Sequence, residues 1–474
     1  MERTSNNKLF IGLLVLIVWL PLPLGSNQPW AWTIMEIWII ILTLGWLWQF
    51  THGHTHLTRA FQKATPILVL WGLWLVYIGL QFIPLPYSWI QAFSPQAAHL
   101  HALTSQTSNL PRWATFSVDP YMTKVAFHKS VSYILLFCLT LLLINRRYRL
   151  RWLGYVIVLS GVLQAIYGTL STLSGLEYGF FQQKTASLGV ATGTFVNRNH
   201  LAGYLEMCLA IGTGLLIAQL GDATIMTWRQ WLRSLLDWIL SEKMRLRLYL
   251  VMMVIALVLT HSRMGNTAFF LSLLIAGIMG LALSRRAPRS TIILLASLVI
   301  IDMLIIGTWF GIDKVAQRLE QTSLMTEVRD EVDISILPYW QDYLWTGSGL
   351  NSFYTVFPHY REQYPLGFFD HAHNDYLEFG AETGIIGLFL LGSSVMLTLI
   401  VALLAQYRRH DPLYRGIAFG TVMGIIALLI HSSVDFNLQI PANAATFMVL
   451  LALAWITCFL PRTPTSLTAN RKKS

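Results

Sequence analysis

The sequence predicts an all-α polytopic membrane protein, and three observations predict it. Of its 474 residues, 55% are hydrophobic and only 12% are charged, against about 25% charged in an average soluble domain. Mean hydropathy is +0.54, and 18 residues are tryptophan. Apolar stretches of about 20 residues, enough for a helix to cross a hydrocarbon core of roughly 30 Å, recur from end to end.

In chain order the stretches fall near residues 9–25, 30–50, 66–84, 125–145, 152–173, 199–219, 246–262, 266–284, 291–311, 379–404, 414–432 and 440–460. This makes about twelve transmembrane helices. The chain divides into helices one to nine over 1–311, one large loop over 312–378, and helices ten to twelve with a short tail over 379–474. The first stretch has no small-residue cleavage site after it, and Pro21 and Pro23 stand where a signal peptide would end, so it reads as a retained anchor.

Lysine and arginine accumulate in cytoplasmic loops. By that rule 23 of the 33 basic residues share one side, among them Arg59, Arg146, Arg147, Arg285, Arg286, Arg408 and Arg409, and the other side has ten. Both termini are expected in the cytoplasm, and the long loop in the periplasm. The net charge of +10 then reports topology. No basic stripe interleaved with aromatics and no nucleic-acid-binding motif is present, so nucleic acid is not an expected partner. Cys138, Cys208 and Cys458 lie inside apolar spans without metal-ligand spacing and read as core residues.

The polar residues gather on the outward side. The segment 312–378 is too long for an ordinary connection and is expected to be functional. It has four basic residues against eleven acids, an anionic surface on which each arginine stands out. LEQTSLMTEVRDEVDISILPYWQDYL has helical apolar spacing and is expected to lie along the membrane face or cap the bundle. The acidic run RDEVD, 329–333, suits Mg²⁺ or Ca²⁺ by composition, but reads better as a solvated helix face. Asp375 and Glu378 open an apolar helix with the spacing of an N-cap and capping box. Gly384 and Gly387 form a flat strip for a close helix or lipid approach.

Capping does not explain His371 and His373, two residues apart at the outer interface, where an imidazole exchanges protons near neutral pH. GTFVNRNHLAGYLEM, 193–207, sets Asn197, Arg198, Asn199 and His200 at the outer start of the sixth span. THSRMGN, 260–266, sets Arg263 in a tight outward hairpin. Each arginine has two explanations, snorkelling to lipid headgroups or binding an anion. Two of them beside a loop with Arg329 and His373 favour the anion. Guanidinium forks bind phosphate oxygens and keep their charge. A diphosphate gains negative charge as its bond to a sugar breaks, and a fixed cation in a dry site is worth on the order of 3 kcal/mol there. A histidine that accepts the attacking hydroxyl's proton adds about 10²- to 10⁴-fold. The chemistry requires no metal and no cofactor.

His373, Asn374, Gly384 and Gly387 form H-N-x9-G-x-x-G, which resembles the signature of the bacterial O-antigen ligase and O-antigen polymerase superfamily. NRNHLAGYLE resembles a second block of that superfamily. The likeness covers roughly residues 190–400 in motif and the whole chain in layout. It implies a GT-C-like membrane glycosyltransferase of the bacterial inner membrane, metal-independent and inverting. The implied donor is a glycan on undecaprenyl diphosphate, and the implied acceptor is lipid- or glycan-linked. Carried over by position, His373 is the family's essential histidine and Arg198 a diphosphate-binding arginine. Arg329 fits the loop arginine, and Arg263 and Arg318 compete for a further arginine role. His371, Asn374 and Asn199 join them as candidate substrate contacts. The layout favours a ligase, which delivers to lipopolysaccharide core, over a polymerase. Only about 14 residues follow the last span, which lends no support to a protein-directed branch.

Two rival classes remain open. A twelve-span transporter or flippase would use intramembrane charges, for which Glu36, Glu206 and Asp302 are candidates; yet the halves do not repeat, and the polar clusters lie at the rim rather than the midplane. A non-catalytic scaffold would need no arginines and histidine on one rim. The histidines of THGHTH, 51–56, read as a cytoplasmic loop far from the site. Lys129 either snorkels or meets a carrier phosphate. The stretch 227–247 reads as a basic amphipathic helix on the inner leaflet.

Overall fold

The computed structural model describes residues 2–104, 111–184, 187–219, 242–283, 297, 334–360 and 369–461. Eleven long helices run through them: α1 (Glu2–Trp19), α2 (Pro29–Thr51), α3 (Thr65–Phe82), α4 (Pro120–Leu143), α5 (Arg147–Ser174), α6 (Arg198–Ala218), α7 (Glu242–Leu259), α8 (Arg263–Leu283), α9 (Asp375–Arg408), α10 (Pro412–His431) and α11 (Pro441–Phe459). Among the described residues nine of these, all but α1 and α7, are long and apolar enough to cross a membrane, so the chain is an all-α polytopic membrane protein. Eleven of the twelve expected spans coincide with helices. The span near 291–311, with Asp302, lies outside the described residues except at position 297, and Arg318, Arg329 and the RDEVD run lie outside them too.

The helices are not equal. The apolar windows of α6 and α11 are 89% buried and that of α10 is 78% buried, whereas those of α2 and α3 are only 28% buried. The first three form the centre and the last two face lipid. The centre packs through glycines. On α10, Gly416 and Gly420 stand one turn apart, and a Cβ on either would strike α6, at the carbonyl of Gly214 for one and that of Ala210 for the other. Lipid tails are as apolar as leucine, so helices in a bilayer gain by close backbone packing at small residues.

One rim is capped. The short helices Tyr87–Phe93, Pro95–Thr104 and Phe353–Val356, with the helical stretch 334–342, share a small core of Ile90, Ala97, Ile336, Tyr339, Tyr343 and Phe353. The segment that leads into α4 and the one that leads into α9 thus pack on each other, with Val118 N–H donating to the Ser348 carbonyl at 2.8 Å. At the opposite rim Arg147 pairs with Asp411 at 2.9 Å, and Arg409 donates to the carbonyls of Cys458 and Leu460. There, too, the THGHTH loop turns α2 to its end: His52 Nδ1 lies 2.8 Å from the Trp48 carbonyl.

Helix α9 is broken at Gly384, whose φ of 62° and ψ of −173° are not helical. The cap docks into this break. Ser348 N–H donates to the Ala381 carbonyl (3.1 Å), Gly349 N–H to that of Glu382 (2.9 Å), and Ile385 N–H to that of Leu344 (2.8 Å). A Cβ on Gly384 would collide with the Trp345 carbonyl, and one on Gly387 with its own helix at Thr383. The expected flat strip for a helix or lipid is therefore a different device. The first glycine supplies positive φ and room for a loop backbone, and the second faces inward along its own helix.

Candidate active site at the capped rim

The lead-in to α9 ends with Asn374, whose side-chain oxygen accepts from Tyr376 N–H (3.1 Å) and Leu377 N–H (3.2 Å). Asn374, not Asp375, is therefore the N-cap, an expectation from spacing that the structure corrects. Asp375 and Glu378 are buried and turn to other work. Glu378 accepts from Ala372 N–H at 2.7 Å and from His371 Nδ1 at 2.6 Å. Asp375 accepts from Ser432 Oγ–H at 2.7 Å and Leu438 N–H at 3.1 Å. The first turn of α9 is therefore stitched both to its own lead-in and to the loop that joins α10 to α11.

His373 has a φ of 55°, the left-handed region that a non-glycine residue enters at a cost of about 1–2 kcal/mol. The strain turns its ring toward the α10–α11 loop. Nδ1 lies 3.8 Å from Asp435 Oδ1, and Nε2 of His200 lies 3.7 Å from the same oxygen. Phe436 is the hub of three imidazoles: His371 stacks on it at 4.4 Å, and His200 and His373 meet it edge-on at 4.6 and 4.8 Å. Asn443 Nδ2 donates to the His200 carbonyl at 3.0 Å and fixes that residue from α11.

The charges follow from these contacts. Burial opposes the charged form of Asp435, but His200 and His373 beside it hold its carboxyl well below the usual carboxylate range. Burial likewise opposes protonation of His371, yet the Glu378 carboxylate against it raises the imidazole to about 9. At neutral pH the site thus contains an anion at Asp435 and a cation at His371. The side chain of His373 is 22% exposed, and its Nδ1 is buried, so Nε2 is the ring nitrogen left to face a reactant.

Arg198 is the first residue of α6, and Asn199 N–H donates to the N-cap side chain of Asn197 at 2.9 Å. Arg263 is the first residue of α8 and is exposed. The two helix starts lie together, because a Cβ on Gly265 of α8 would meet Ala202 of α6 at 2.6 Å. Both arginines thus begin neighbouring helices on the capped rim, and His200, within the first turn of α6, lies 3.7 Å from Asp435. Glu206 is fully buried and 2.8 Å from Nδ1 of His431 on α10.

Sequence reasoning missed Asp435, Phe436 and His431. The stretch HSSVDFN, 431–437, carries a histidine, an aspartate and an asparagine between two apolar spans, and that signal marks it. Among the described residues no group of three or more His, Cys, Asp or Glu side chains has the arrangement of a metal site.

Among curated proteins none matches the chain. Residues 248–392 match the family described as O-antigen ligase, a stretch that includes most of α7, all of α8, His373 and both glycines of the α9 motif and leaves Arg198 and Asp435 on either side. That match falls on the segment that carries His373, which is thus similar to the O-antigen ligase family.

Proposed function

We propose that the chain transfers a glycan from an undecaprenyl diphosphate carrier to an acceptor hydroxyl at the capped rim, as a ligase whose acceptor is lipopolysaccharide core. The observation that carries the reading is His373, strained into a position where Nδ1 faces the Asp435 carboxylate and Nε2 faces outward, beside two helices that begin with arginine. The acceptor oxygen bonds to the anomeric carbon as the bond from that carbon to the diphosphate oxygen breaks. Its proton passes to Nε2 of His373, and the diphosphate leaves with the bonding electrons. Attack from the face opposite the leaving group inverts the anomeric centre. Arg198 and Arg263 balance the charge that gathers on the diphosphate, and Asp435 balances the imidazolium. These residues need no metal ion for the step. The capped rim faces the periplasm of a bacterial inner membrane and both termini the cytoplasm, since Arg146–Arg151 and Arg408–Arg415 lie at the opposite rim.

The test is transfer in proteoliposomes supplied with carrier-linked glycan and lipopolysaccharide core. Wild type forms the glycosylated core, and His373→Ala and Arg198→Ala do not. A wild type that forms no product, together with cells in which His373→Ala changes no surface glycan, removes the reading. Deletion of the gene leaves bare acceptor core for a ligase; isolated single repeats would assign a polymerase instead.

A further inference from the structure

Between α5 and α6 the chain makes a two-stranded hairpin, in which Tyr178 pairs with Gln183 and Gly179 with Gln182. Two residues close it, Phe180 at a φ of 41° and Phe181 at a φ of 65°. A two-residue turn with positive φ at both positions is filled best by Asn-Gly, and a bulky side chain is strained there. Turn formation therefore does not explain a pair of phenylalanines. Such strain persists where the side chains have a task. Phe181 is 90% exposed. The charges of the hairpin meet each other, since Glu177 pairs with Lys184 at 3.1 Å and accepts from Gly189 N–H at 2.7 Å. The tip itself presents two apolar rings and no charge.

The tip stands where two lipid-facing stripes end. Phe180 stacks on Trp30 of α2, with ring centres 6.4 Å apart and planes 24° apart. Trp30 opens an exposed stripe of α2 that continues through Ile34, Ile37, Ile41, Leu44 and Trp48, one residue every three or four. From first to last the stripe covers about 27 Å at 1.5 Å per residue, close to the roughly 30 Å of a hydrocarbon core. A tryptophan stands at each end, as in the aromatic belts of membrane proteins. Helix α5 leads to the hairpin along a similar exposed stripe, Leu163, Ile166, Leu170 and Leu173, and exposed Leu176 extends it past the helix end. We propose that the hairpin is an interfacial anchor whose tip, Phe181 with Phe180 and Trp30 behind it, inserts between the headgroups and acyl chains of the outer leaflet. The partner is a phospholipid surface met by apolar rings. A turn of two residues offers far less than the about 800 Å² per partner of a stable protein interface, whereas lipid already covers the stripes on either side. The anchor stands independently of the glycan-transfer reading.

The experiment is a spin-label depth measurement on the full chain in phospholipid nanodiscs, with Cys138, Cys208 and Cys458 replaced by alanine. A label on Phe181→Cys is reached by dissolved oxygen and shielded from a water-soluble nickel chelate, as is a label on Trp30→Cys. A label on Gln183→Cys then reports the hairpin with its tip intact or altered. Phe180→Asn with Phe181→Gly gives the unstrained turn, so the melting temperature in detergent is unchanged or higher, yet the chelate reaches the Gln183→Cys label at least about threefold more often. A label at position 181 as open to the chelate as a free label in buffer overturns the anchor, and so does equal access to the Gln183→Cys label with either tip. Shielding from oxygen and chelate alike, with dipolar broadening between labels, would assign the tip to a second copy of the chain and overturn it too. A lower melting temperature with Asn-Gly would remove the strain from which the anchor is argued.

Discussion

The carboxylate of Asp435 stands 3.8 Å from Nδ1 of His373, although one residue closes the α10–α11 loop and the other leads into α9. The two loops are clamped by a shared donor, because Asp375 N–H reaches the carbonyls of both Ser432 (2.9 Å) and Asp435 (3.2 Å). The proposed base therefore rests on a second wall that its own motif does not contain.

Asp435→Asn keeps the shape of that wall and removes its charge. The transition state loses the anion that balances a protonated ring, so kcat falls by roughly 10²-fold while KM for the carrier-linked donor changes little, because Asp435 does not face the diphosphate. Steady-state kinetics in proteoliposomes check this; a rise in KM at unchanged kcat would assign Asp435 to donor binding instead.

The His371–Glu378 pair makes stability depend on pH. Folding raises the imidazole from about 6.5 to about 9, so the folded chain holds the proton more tightly than the unfolded chain. The stabilisation is complete below about 6.5 and is lost as pH rises through about 9. Melting temperature in detergent accordingly falls between pH 7 and 10 in wild type, and His371→Gln flattens that slope. An unchanged slope in the variant would show that other groups set it.

Two glycines of α9 should respond in opposite ways. Gly384→Ala places a Cβ against the Trp345 carbonyl at a φ of 62°, where the colliding atom is backbone, and costs about 2–4 kcal/mol. Gly392→Ala meets open space and is neutral or stabilising by up to about 1 kcal/mol through helix propensity. Thermal shifts of the two single variants decide it, and equal shifts would contradict the break as described.

Asn374→Ala removes the cap of α9 and costs about 1 kcal/mol, whereas Asn374→Asp keeps an acceptor for Tyr376 and Leu377 and restores most of it. Because His373 is the preceding residue, transfer activity should follow the same order. Full activity in Asn374→Ala would detach the cap from the aim of the base.

By itself the sequence determined that the chain crosses a membrane many times, where most spans lie, and that His371, His373, Arg198 and Arg263 belong to one rim. Solvation by lipid is read residue by residue along the chain, so a run of apolar side chains announces a span without reference to any other. Only the tertiary structure decided which residues meet across spans. Asp435 reached His200 and His373, Glu206 turned to His431, and Asn374 took the cap from Asp375. Each of these depends on how closely helices approach, which the glycines of α10 set against α6 and the break at Gly384 sets against the cap. No local periodicity encodes such a distance, because the free energy that fixes it belongs to both surfaces at once.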